Sequence, residues 1–130
     1  IADDSGIAAA ALGGAPGVRS ARFAGEHASD AENLALLIER VPAATALAYE
    51  CAIAYVDPAQ RVERIFLGRC EGRMAERPRG EGGFGYDPIF VPDEGDGRTM
   101  AELGSLEKDA ISHRGRALRE FAAWLGEPDG

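Results

Sequence analysis

The sequence predicts a mixed α/β chain of the α+β-like kind, and three observations carry that reading. Two strand-like runs, 48–56 and 61–70, are joined by a tight polar turn and read as an antiparallel hairpin. Two amphipathic segments, one after Ser29 and one after Ser112, carry helix-start signals and helical spacing. Helical and strand segments alternate without a regular βαβ rhythm, which favours a mixed or α+β sheet over a doubly wound parallel one.

The chain opens on an apolar and acidic segment, Ile1-Ala2-Asp3-Asp4, and continues through small apolar residues from Ile7 to Leu12. Gly13-Gly14-Ala15-Pro16-Gly17 is a loop by composition. Ser29-Asp30-Ala31-Glu32 has the capping-box pattern, with Ser29 as N-cap and Glu32 at the third helical position. Leu34, Leu37, Ile38 and Val41 follow at helical spacing, and Pro42 ends the helix. Residues 48–56 are rich in aromatic and β-branched side chains; Asp57-Pro58-Ala59-Gln60 turns the chain, and 61–70 returns with Val62, Ile65 and Leu67 among polar residues. Arg73–Arg77 reads as a further strand, and Ile89–Val91 as a short one between two prolines. Thr99 caps a short helical turn through Leu103, and the last helix runs from about Ser112 to Leu125, with Ala117, Leu118, Phe121, Ala122 and Leu125 as its apolar stripe and Gly126 as its stop.

A length of 130 residues fits a single domain that can bury a core. The net charge of -8 argues against broad binding to a nucleic acid polymer, although one nucleotide needs only a local basic pocket. No run reaches the length of a membrane-spanning helix, and the opening residues lack the basic and apolar regions of a secretory signal. Cys51 and Cys70 have no metal-site spacing, are too few for a disulfide framework, and read as small buried hydrophobes of a cytoplasmic protein. Of the 14 basic residues, Lys108 is the only lysine. Lysine is a compact point charge where arginine is a planar fork, so a lone lysine hints at a site that needs the former.

Four stretches carry candidate chemistry, and each has a bland reading beside it. Gly82-Gly83-Phe84-Gly85-Tyr86-Asp87-Pro88 frames an aromatic ring with glycines and sets an acceptor beside it; alone, it is a Gly-rich turn feeding a strand, with Phe84 in the core. Asp3-Asp4-Ser5-Gly6 offers hard oxygen ligands for a divalent metal and a carboxylate to activate water; in isolation it is a solvated acidic turn. In an extended segment Asp3 and Asp4 point to opposite faces, so one of them leads. Lys108 and Ser112-His113-Arg114-Gly115-Arg116 gather donors at a helix N-terminus, suited to a phosphate or a base carbonyl, or simply to solvent. Arg19 and Arg22, in Pro16-Gly17-Val18-Arg19-Ser20-Ala21-Arg22-Phe23-Ala24-Gly25, suit phosphates, a partner subunit or an ordinary surface loop.

Taken in order, Ala-Asp-Asp-Ser-Gly, Gly-Ala-Pro-Gly-Val-Arg-Ser-Ala-Arg-Phe-Ala-Gly, Gly-Gly-Phe-Gly-Tyr-Asp-Pro-Ile-Phe, Ala-Glu-Leu, Glu-Lys and Ser-His-Arg-Gly-Arg-Ala-Leu form a specific pattern. It closely resembles the noncanonical purine nucleoside triphosphate pyrophosphatases, the inosine/xanthosine triphosphatase family, from Ala2 to about Leu125. The resemblance implies an elongated mixed β-sheet flanked by helices, a homodimer, and Mg2+-dependent hydrolysis of ITP, dITP or XTP to the monophosphate and pyrophosphate. It implies Asp4 as general base and metal-associated carboxylate, with Asp3 in weaker metal support. It assigns substrate binding to Ser5, Phe84, Gly85, Tyr86, Asp87, Lys108, His113 and Arg114, with Phe84 stacking on the base.

The chemistry is consistent with that assignment. Hypoxanthine and xanthine carry an acceptor at C6 where adenine carries an amino donor. Donors from His113 and Arg114 pair with the one and leave the other unsatisfied, a basis for strong discrimination. The family's opening strand, its triphosphate-holding loop and the helix that follows have no counterpart in residues 1–130. The chain therefore reads as the C-terminal portion of such a domain. The competing reading is a truncated, non-catalytic nucleotide-binding or interaction fragment.

Overall fold

The structure, a computed structural model, describes residues 2–83 and 85–126, with the backbone alone for Ala2 and Asp3. Five strands form one sheet in the order β2-β1-β3-β4-β5: β1 Ala2–Ala9, β2 Pro16–Gly17, β3 Ala46–Asp57, β4 Val62–Met74 and β5 Phe90–Pro92. Every pair is antiparallel. Among the described residues three α-helices accompany it: α1 Asp30–Arg40, α2 Ser105–Ile111 and α3 His113–Leu125.

The β3–β4 hairpin forms the middle of the sheet. Its turn is held by Asp57, whose Oδ1 accepts the backbone N–H groups of Ala59 and Gln60 at 3.1 and 3.3 Å. The pairing then runs unbroken from Asp57↔Val62 to Ala46↔Arg73. Arg73–Arg77 is therefore not a separate strand: β4 continues through Met74, because Ala46 and Leu47 supply partners for Arg73 and Gly72.

Strict alternation gives the sheet one apolar face and one open face. On the first, Ile7, Ala9, Leu47, Tyr49, Cys70 and Met74 pack with Leu37 of α1 and Val41 just after it, with Phe90 of β5, and with Ile89 and Met100 from short 3-10 turns. Beside them Cys51, Ile53 and Phe66 meet Ala117 of α3, flanked by Tyr55, Phe121 and Trp124. The open face carries Val56, Ile65 and Leu67, all more than half exposed, and an ion pair between Arg69 and Glu50 at 3.0 Å.

The α1 start follows its sequence signal: Ser29 Oγ accepts the Glu32 N–H at 3.1 Å, and Glu32 Oε1 accepts the Ser29 N–H at 2.9 Å. Ser112 caps α3 through a 3.0 Å bond from Gly115 N–H to its Oγ. The buried side of α3 keeps Ala117 and Phe121 of the predicted stripe but not Leu118, Ala122 or Leu125. Ala117, Phe121 and Trp124 face the hairpin, while Leu118 and Leu125 are about half exposed. The helix is rotated toward Trp124, whose ring lies 5.6 Å from Phe66 and 5.4 Å from Tyr55.

Candidate active site

Ser112 sits at an elbow between two helices and builds one wall of the site. Its N–H donates to the Lys108 carbonyl at the end of α2, and its hydroxyl caps α3. The carbonyls left without partners at the end of α2 are taken up by α3. Arg116 Nε donates to Ile111 O, and Arg119 donates to Asp109 O and Ala110 O, each at 3.0 Å. The basic start of α3 thus has a structural cause in part: Arg116, which also pairs with Glu94, and Arg119 hold the elbow. His113 and Arg114 face the adjoining cavity.

The opposite wall comes from the glycine-framed segment. Gly83 has φ +69, and a Cβ there would strike Asp87 Oδ2 at 2.2 Å, so glycine is required for both conformation and space. Phe84, the expected stacking ring, lies outside the described residues. Tyr86 is buried and its hydroxyl donates to the Ser20 carbonyl at 2.6 Å. Burial, and secondarily the charge of Asp30, pushes its pKa up to about 12. The ring therefore braces the wall against the loop that carries Ser20.

Asp87 is 3% exposed and is engaged on both oxygens. Tyr49 donates its hydroxyl to Oδ1 at 2.8 Å, and the Lys108 ammonium lies 2.5 Å from Oδ2. Burial holds the Tyr49 hydroxyl well above the ordinary phenol range, with the Asp87 charge adding to it, so it stays a donor. The Tyr49 ring stacks on the imidazole of His113, 4.7 Å between centroids and 14° between planes. Sequence reasoning missed Tyr49. A tyrosine on the buried face of a central strand is the available signal, since its hydroxyl must find a partner there.

Ser5, Gly85, Tyr86, Asp87, Lys108, His113 and Arg114 all line one cavity of about 750 Å³, on the apolar side of the sheet. Asp4 does not. It alternates with Ser5 along β1, is exposed on the open face, and lines a second groove of about 480 Å³ with Glu50 and Arg69. The two spaces meet at β1, where Ser5, Gly6 and Ile7 border both. β2 pairs only with Ile7 and Ala8, so among the described residues it stops short of the stretch from Ala2 to Gly6 on the outer side of β1. The Asp3 side chain lies outside the described residues. Arg19 and Arg22 are exposed and line neither space.

No group of three or more His, Cys, Asp or Glu gathers as a metal cluster among the described residues. Mg2+ bound with phosphates uses only one or two protein carboxylates, and the exposed carboxylate of Asp4 fits that demand. Glu50, on the same groove, is already paired with Arg69. No helix among the described residues is long and apolar enough to cross a membrane.

The chain is 53% identical over 123 residues to a dITP/XTP pyrophosphatase of Mycolicibacterium paratuberculosis, covering 92% of this chain and 59% of that protein. It is 52% identical over 126 residues to a dITP/XTP pyrophosphatase of Geobacillus kaustophilus, covering 93% of this chain and 60% of that one. It thus spans about three-fifths of the length of these relatives. The solved structure of a HAM1 protein from Coxiella burnetii superposes with a TM-score of 0.87 at 43% identity, covering 95% of this chain and 65% of the other. The Ham1 protein of Staphylococcus aureus gives 0.88 at 39% identity, covering 95% and 64%. The Ham1 family pattern matches residues 1–124, and the chain belongs to the Ham1 family.

Proposed function

We propose that residues 1–130 form the purine-reading part of a nucleoside triphosphate pyrophosphatase that converts ITP, dITP and XTP to their monophosphates and pyrophosphate. The observation that carries the reading is the convergence of Lys108, His113, Arg114, Gly85, Tyr86 and Asp87 on one cavity bordered by Ser5, Gly6 and Ile7 of β1, with Asp4 on the other face of that strand. The relatives named as dITP/XTP pyrophosphatases support it.

In this reading the base lies in the cavity. His113 and Arg114 donate to the C6 carbonyl, and Phe84 stacks on the ring. Adenine would turn an amino donor toward the same donors and leave them unpaired, the kind of mismatch that supports strong discrimination. Lys108, held by Asp87, sets a positive charge toward the phosphates. The triphosphate passes over β1, where the two spaces meet, to Asp4. Asp4 accepts a proton from water as the water oxygen bonds to phosphorus, the bridging P–O bond breaks, and pyrophosphate leaves with its electron pair. Asp4 would be the residue that holds Mg2+, which would supply charge neutralisation at the phosphates. A cytoplasmic homodimer belongs to the same proposal.

The test is pyrophosphate release from ITP, XTP, dITP, GTP, ATP and dCTP with Mg2+, using the 130-residue chain and a version extended to the length of its relatives. The extended protein is expected to prefer ITP and XTP, and Asp4→Asn to abolish release without changing the circular dichroism spectrum. Near-normal turnover by Asp4→Asn removes Asp4 from the base role, and a preference for dCTP overturns the purine reading. A second reading, binding without turnover by residues 1–130 alone, is favoured by the chain spanning 59% of the first relative. Activity confined to the extended version, with nucleotide binding by both, supports it.

A further inference from the structure

One buried side chain touches both halves of the cavity wall. Tyr49 lies in β3, the central strand, paired with Ile7 on one side and Cys70 on the other, and is 7% exposed. Its ring is wedged between Phe90, at 4.5 Å, and His113, at 4.7 Å and nearly parallel. Its hydroxyl reaches past that stack to Asp87 Oδ1, whose other oxygen holds Lys108. The central strand thus orients an imidazole through an apolar contact and an ammonium through a two-bond polar relay.

We propose that Tyr49 is a positioning residue with two separable jobs: its ring sets the plane of His113, and its hydroxyl, through Asp87, fixes the ammonium of Lys108. This rests on the pyrophosphatase reading above. The separation follows from the geometry. The stack with His113 needs only a six-membered aromatic ring, which phenylalanine keeps. The Asp87 bond needs the hydroxyl, which phenylalanine lacks. In a buried setting the loss leaves Oδ1 without that donor, and Lys108 then becomes free to recentre on the carboxylate. Base discrimination therefore belongs to the ring and affinity for the charged tail to the hydroxyl.

The experiment compares Tyr49→Phe and Tyr49→Leu in the protein extended to the length of its relatives. Steady-state KM and kcat are measured for ITP and ATP, together with the NMR resonances of the His113 ring protons, with exposed His27 as reference. Tyr49→Phe is expected to raise KM for ITP about tenfold, the scale of a hydrogen bond to a charged group. It should leave the ITP-to-ATP ratio of kcat/KM and the His113 ring-current shift unchanged. Tyr49→Leu is expected to lose the ring-current shift and to lower that ratio as well. A Tyr49→Phe protein with unaltered KM overturns the hydroxyl role, and a Tyr49→Leu protein with intact selectivity overturns the ring role. If the unmutated protein shows no preference for ITP over ATP, the pyrophosphatase reading fails instead, while the His113 shifts still decide whether the ring sets the imidazole.

Discussion

A Cβ atom on Gly68 would stand 1.9 Å from the carbonyl oxygen of His113 and 2.7 Å from the backbone nitrogen of Ala117. The first turn of α3 can therefore rest on β4 only because Gly68 has no side chain. That approach brings His113 within stacking distance of Tyr49, on the strand next door. Gly68→Ala is expected to lift the helix start from the sheet. Overpacking of this kind costs about 1–3 kcal/mol. Urea unfolding should reveal that loss, and the variant should bind inosine monophosphate more weakly, since His113 moves with the helix.

Asp87 and Lys108 give a second prediction. Both lie on the cavity wall, and their side chains are 4% and 19% exposed. Removing one member of a buried pair leaves the other charge without compensation, at a cost of about 3–5 kcal/mol. Asp87→Ala also strands the Tyr49 hydroxyl. It is expected to destabilise the protein near that range in chemical denaturation. Arg98→Ala, which cuts a surface contact to Glu107 and Asp96, should shift the midpoint by far less. Equal effects from the two would mean that the Asp87 pair is no more protected than a surface one.

Asn33 carries the third. It is buried in α1 and clamps the arginine-bearing loop with both ends of its amide: Oδ1 accepts from Ala24 N–H at 2.8 Å and Nδ2 donates to Ala21 O at 3.0 Å. Asn33→Ala leaves two backbone groups unsatisfied, a loss of about 1–3 kcal/mol for each that stays buried. Amide exchange at Ala24 should accelerate markedly in that variant while the β3–β4 amides keep their protection. Uniform acceleration across the sheet would argue that α1, not the loop, was lost.

What was legible in the sequence is what is decided locally. Ser29 and Glu32 satisfy each other within one turn, and Asp57 folds the hairpin turn onto its own next residues, so both signals work without tertiary context. The seven-residue α2 has no sequence signature because none of its residues is buried, so it has no apolar stripe to read. The face of α3 is ambiguous in the sequence because Leu118 and Trp124 both satisfy helical spacing, and only the aromatic cluster of Tyr55, Phe66 and Phe121 selects Trp124. In the site, Lys108, His113 and Arg114 stood out as donors near a helix start. The partner of Lys108 lies 21 residues away and Tyr49 lies on another strand, and no local pattern announces either. Asp4 was legible as a carboxylate, but its place across the β1 edge from the cavity depends on the sheet register.

The last prediction concerns pH. Cys70 is 1% exposed on the apolar face of β4, and burial pushes its thiol up to about 11. A thiol in the unfolded chain ionises near roughly 8.5. The folded state thus holds the proton more tightly than the unfolded one, and the thiol favours folding in its neutral form. That contribution is fully present below the unfolded value and is lost as pH climbs through the folded one. Stability is therefore expected to decline between roughly pH 8.5 and about 11, and Cys70→Ala, whatever its cost at neutral pH, should flatten that decline. Tyr86, pushed up to about 12, and Tyr49 act in the same direction at higher pH, so a residual slope should persist in the variant. Urea midpoints measured from pH 7 to pH 11 for both proteins settle the matter. Parallel curves would show that Cys70 is not the group that titrates, and rapid alkylation of its thiol in the native protein at pH 8 would show that it is not held neutral.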